Sequence, residues 1–190
     1  DPVKPEIINK DFADFSNPYH LDVVLPPEGF RSIETSADEL FIAGGNRLSH
    51  LDTTLPTDPL LLAEINLPGV VTHVTYDDEL LFVSGEFGVR IYQFTSNREL
   101  ILTKALDTTY LGGVVAKVIA HSTSVFVLVP EVDQVIELDL LTGNYDIVNR
   151  ILLENEDSGE FDAVSMLLLQ DKLIISTGRR ASIRLYQIRP

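Results

Sequence analysis

Residues 29–45, GFRSIETSADELFIAGG, lie over residues 69–85, GVVTHVTYDDELLFVSG, without a gap. Gly29 meets Gly69, Asp38-Glu39-Leu40 meets Asp78-Glu79-Leu80, and Gly45 meets Gly85. The shift is 40 residues, and self-similarity at a fixed period of that size marks an architecture built from repeated supersecondary units. A third copy, GVVAKVIAHSTSVFVLV (113–129), begins 44 residues further on, and a fourth, FDAVSMLLLQDKLIISTG (161–178), follows after a longer interval.

The grammar inside each copy is the same. An apolar segment runs into a polar turn (SADE, YDDE, AHST, LQDK) and then into a run rich in β-branched residues and Phe (LFIAG, LLFVSG, VFVLV, LIISTG). Such a pair reads as a β-hairpin. A short loop carrying Gly or charge (GNR, GEFG, PEVD, GRRA) leads to a third strand: LSHLD, VRIYQF, QVIELDL or IRLYQI. In the first three copies a second turn leads to a fourth strand, LLLAEINL, ELILTKAL or YDIVNRIL. Helix competes locally for VVAKVIA and AVSMLLLQ, because short apolar runs do not discriminate by periodicity. Both stand at the first-strand position of their copy, and consistency across copies decides for strand.

Four short antiparallel strands per 40 to 49 residues is the layout of a β-propeller blade. The repeats resemble WD40-like and YVTN-type β-propeller repeats. VFVLVPEVDQVIELDLLTGNYDIV (125–148) resembles a strand–loop–strand stretch common to those and to quinoprotein-like propellers, and DTTLPTDPLLLAEINLPG (52–69) is similar to the Pro-containing joint of LVIVD-type repeats. The resemblance implies an all-β propeller of about four four-stranded blades, with repeats at approximately 29–68, 69–112, 113–160 and 161–190. The chain has no Trp, so the tryptophan that quinoprotein blades stack is missing and no cofactor is expected.

The fourth copy stops after its third strand, which leaves a β edge to be covered. Residues 1–28 are expected to supply a closing strand, from 20–26 (HLDVVLP) or from 4–10 (KPEIINK). Two alternatives stay open: a larger ring completed by further sequence, and two chains pairing into an eight-bladed ring.

Composition narrows the partners. The 14 Lys and Arg against 29 Asp and Glu give a formal charge of −15, which repels phosphate backbones and anionic headgroups. Nucleic acid is not expected as a partner. Insertion into a membrane is not expected either, since the longest apolar run, Val164–Leu169, is broken by Ser165 and falls far short of the roughly 20 residues of a spanning helix. Absence of Cys removes disulfides, thiolate chemistry and Cys-based metal sites. With the start at Asp1 rather than Met it fits an exported chain, extracellular or periplasmic, without fixing the compartment.

Candidate chemistry is sparse. His20, His50, His73 and His121 show no ligand spacing and read as structural. No Gly-x-Ser-x-Gly elbow occurs. In ENEDSGEFD (154–162), Glu154, Glu156 and Ser158 are weak calcium candidates. Gly159 falls sixth, as a calcium loop requires, but the twelfth position is Ser165 rather than Glu. An acidic solvated loop is the better reading, and no metal is expected.

Loops of one type emerge on one face of a propeller, so the loops between second and third strands define a candidate binding surface: Asn46, Arg47, Glu86, Phe87, Glu131, Asp133, Arg179 and Arg180. Its mixed charge and single aromatic suit recognition of a protein partner, or of a second copy, better than catalysis. The expectation is therefore a non-enzymatic scaffold. The alternative is an exported propeller enzyme or ligand-binding protein, hydrolase- or lyase-like toward glycans, with its site at the central funnel. The Arg-x-Tyr-Gln shared by VRIYQF (89–94) and IRLYQI (183–188) reads as packing, with Arg90 and Arg184 expected to pair with carboxylates.

Overall fold

A computed structural model describes residues 7–9, 19–21, 29–55, 58–153, 163–177 and 183–188. The chain falls into two compact units, Asp1–Val71 and Thr72–Pro190.

In the first unit, strands β1 (Ile7–Asn9) and β2 (Tyr19–Leu21) pair antiparallel with each other. The remainder of the expected closing segments lies outside the described residues. Strands β3 (Phe30–Ser36), β4 (Glu39–Gly44), β5 (Arg47–Asp52) and β6 (Leu60–Asn66) form a four-stranded antiparallel meander in that order. The two middle strands carry the core: Phe41, Ile42, Ala43 and Leu48 are fully buried. Phe41 stacks on His50, with ring centroids 5.0 Å apart, and His50 Nε2 meets the Glu39 carboxylate across the β4–β5 ladder. The His50 ring is fully buried there.

The second unit repeats the meander. Its first sheet is β7 (Val71–Asp77, whose first residue belongs to the first unit), β8 (Leu80–Gly85), β9 (Gly88–Phe94) and β10 (Leu100–Leu106). After helix α1 (Thr108–Leu111) comes a second sheet: β11 (Lys117–His121), β12 (Ser124–Val129), β13 (Gln134–Asp139) and β14 (Ile147–Leu152). The last sheet has three strands, β15 (Ala163–Leu169), β16 (Lys172–Thr177) and β17 (Ile183–Gln187). Both segments for which helix competed, at β11 and β15, are strands.

The run VFVLV of β12 shows why these strands are apolar throughout. Successive side chains of a strand point to opposite faces. Val125, Val127 and Val129 join Phe82, Val89 and Ile91 of the preceding sheet in one buried cluster. Phe126 and Leu128 join Met166, Leu173 and Ile175 of the following sheet in another. A sheet packed on both faces loses the apolar–polar alternation of a half-exposed one.

One detail departs from the gap-free alignment. The first hairpin turns at Ala37–Asp38 but its counterpart turns at Asp78–Glu79, so the first copy closes its hairpin one residue earlier than the alignment expects. Every such turn carries a non-Gly residue with positive φ: Ala37 (48°), Asp78 and Glu79 (42° and 67°), Ser122 (55°) and Gln170 (55°). Tight two-residue hairpins demand that conformation because only the primed turns match the strand twist.

Candidate functional site

The residues expected on the loop surface are mostly engaged within the protein. In the first unit, Asn46 is exposed while its carbonyl accepts the Leu67 N–H at 2.7 Å. The neighbouring Arg47 donates to Glu64 at 3.0 Å. In the second unit, the β12–β13 loop is a 3-10 turn over Pro130–Val132. Glu131 there accepts the Val114 N–H at 3.1 Å, which ties the loop to the segment entering β11. Asp133 takes a left-handed conformation (φ 50°), returns its N–H to Pro130 at 3.0 Å and accepts Leu153 N–H at 2.8 Å.

The β8–β9 turn presents Glu86, exposed, and Phe87, half-buried. Arg90 sits with its guanidinium carbon 5.7 Å from the centre of the Phe87 ring, a cation–π contact. The carboxylate partner expected for Arg90 is not found among the described residues, and its buried Nε has no hydrogen bond. Gly88 makes the turn possible. Its φ is +89°, and a Cβ there would sit 2.1 Å from the Leu106 carbonyl oxygen. The structure thus brings Glu86, Phe87, Glu131 and Asp133 onto the loop side of one unit. Arg179 and Arg180 lie outside the described residues, as do Glu154, Glu156 and Ser158.

A second group went unnoticed in the sequence. His73, Lys117 and Ser165 lie on the first strands of three successive sheets, each five positions before the first residue of its hairpin turn. Lys117 Nζ reaches Ser165 Oγ at 3.4 Å. Burial and, secondarily, the Lys117 charge lower the His73 pKa to about 4, so its imidazole is neutral at physiological pH. The only available signal was positional: one register position carrying His, Lys and Ser in turn, which a search for local spacing misses. Burial also raises the Tyr92 hydroxyl above its ordinary value, opposed by the Arg90 charge, and burial raises Tyr145. Among the described residues no three His, Asp or Glu side chains converge as a metal site.

No family model matches the sequence, and no curated protein matches it. Solved structures do match. The WD40 beta propeller domain of Doa1 aligns with a TM-score of 0.68 at 11% identity, over 96% of this chain and 58% of that one. The computationally designed Ika4 protein aligns at 0.64 and 10% identity, over 88% and 96%. The N-terminal domain of Nup159 aligns at 0.58 and 15% identity, over 87% and 43%. The fold is that of a β-propeller of four-stranded blades, as the repeats predict. The chain spans less than two thirds of the Doa1 and Nup159 chains it resembles.

Proposed function

We propose that this chain is a non-enzymatic interaction module that holds a protein partner on the side of its sheets carrying the loops between second and third strands. The observation that carries the reading is the clamping of that side. The Glu131–Val114 and Asp133–Leu153 hydrogen bonds fix the β12–β13 loop in place, so a partner meets a platform whose ordering cost is already met. Glu86 and Phe87 on the adjacent turn supply charge and an aromatic anchor, the kind of residue that dominates recognition. The likeness to WD40 propellers supports the reading at the level of fold.

The test is capture of partners from native extract on the immobilised chain, comparing wild type, a Glu86→Lys/Phe87→Ala variant and a Ser96→Ala/Asn97→Ala control in the exposed β9–β10 turn at the opposite end of the sheet. Loss of a captured protein in the first variant alone is the expected result. Equal capture by all three overturns it.

One observation favours a second reading, ligand binding at the inner strands: the His73, Lys117 and Ser165 group. Anionic oligosaccharides that shift the His73 ring resonances, and fail to do so after Lys117→Met, are what that reading requires.

A further inference from the structure

We infer that a cleft between the last two sheets, at the end opposite the loop surface, binds the arginine side chain of an extended basic peptide. The cleft has a volume of about 620 Å³, inside the range in which specific ligand sites fall. It opens where the buried cluster shared by the two sheets reaches the β11–β12 and β15–β16 turns. Its floor is therefore apolar: Phe126, 1% exposed, and Ile188.

Its walls carry two carboxylates, with the imidazole of His121 beside them. Glu137 and Asp171 both line the cleft, and neither has a cationic partner among the described residues. Each is held by a neutral donor. The Ser124 hydroxyl bonds Glu137 at 2.8 Å, and the Gln187 side-chain amide bonds Asp171. The wall is further braced by Ile188 N–H donating to the Asp171 carbonyl at 2.8 Å. Two carboxylates fixed above an apolar floor fit a side chain with an aliphatic stem and a cationic head. Arginine fits better than lysine, because its planar fork of five donors engages two acceptors on different walls while a point charge satisfies one direction at a time. The net charge of −15 adds long-range attraction for a basic segment. The cavity carries the inference, and the carboxylates give the sign of its occupant.

This site lies beyond the loop-surface reading and stands or falls separately. The probe is acetyl-Leu-Arg-Leu-amide, titrated into the whole ¹⁵N-labelled chain, beside the same peptide with citrulline, which keeps the shape and removes the charge. We expect shifts confined to the amides of residues 121–124 and 170–171, and affinity at least tenfold weaker for citrulline. Glu137→Gln and Asp171→Asn keep their neutral hydrogen bonds and should each weaken the arginine peptide at least fivefold, while unchanged core cross-peaks show that the variants are folded. Equal binding of the two peptides overturns the inference. So does calcium chloride alone producing the same shifts more tightly than the peptide, which makes the cleft a cation site. The Glu86→Lys/Phe87→Ala variant should bind the probe like wild type, so failure of the loop surface and failure of the cleft are told apart.

Discussion

At the scale of single residues, His73 ties packing to pH. Its folded pKa of about 4 lies below the 6.5 of an unfolded histidine. Above pH 6.5 the ring is neutral in both states and costs nothing. Between 6.5 and 4 the unfolded chain binds a proton that the folded chain refuses, so stability falls as pH falls, by at most about 3 kcal/mol. Urea denaturation at pH 7.5 and 4.5 should show that loss in wild type and a smaller one in His73→Gln. A Lys117→Met variant, lacking the secondary cause, should raise the His73 pKa in an NMR titration. Identical pH slopes for wild type and His73→Gln would refute the assignment. That the histidines show no ligand spacing was available from the sequence. The juxtaposition of His73, Lys117 and Ser165 was not, because it depends on three sheets placing one register position side by side, and no local spacing encodes that. The loop residues show the converse: their sequence positions were clear, but that Glu131 and Arg47 are spent on internal bonds depends on which backbone or side chain they meet.

At the scale of elements, the strand order of each sheet was legible because four copies vote on every position. Turn chemistry repeats with the same offset even where an individual strand, such as KVIAH of β11, has no alternation to read. What the copies could not supply was the exact turn residue. Ala37–Asp38 and Asp78–Glu79 differ by one position although their sequences align without a gap, and they differ in backbone too: Ala37 alone has a positive φ in the first turn, whereas both residues do in the second. Those angles also store strain. A left-handed L-residue costs roughly 1–2 kcal/mol, partly offset by the entropy that Gly loses on folding. Replacing Asp78-Glu79 by Asn-Gly, the preferred type I′ pair, should raise stability by about 1 kcal/mol and leave the slope with urea unchanged. In the other direction, Gly88→Ala forces a side chain against the Leu106 carbonyl at a positive φ, and should lower the unfolding midpoint sharply.

At the scale of the whole molecule, charge sets two effects of opposite sign. The chain carries 29 carboxylates against 14 Lys and Arg, and several cations are engaged by neutral groups rather than by carboxylates. Lys117 bonds a serine hydroxyl, Arg90 faces a phenyl ring, and Arg150 donates to the Gln134 side chain and the Tyr110 carbonyl. Self-repulsion therefore outweighs attraction in the folded state, and compacting the chain concentrates it. Raising sodium chloride from 10 mM to 0.5 M shortens the screening length from about 30 Å to a few Å. The thermal midpoint should rise by roughly 2–4 °C if about 1 kcal/mol of repulsion is relieved. The arginine peptide should respond the other way, its affinity for the cleft falling as the same field is screened. A calorimetric scan and a titration at the two salt concentrations separate the terms. A midpoint that falls with salt would mean that attractive pairs dominate the fold, whereas peptide affinity indifferent to salt would mean that the cleft holds its occupant by apolar contact with Phe126 and Ile188 and not by Glu137 and Asp171.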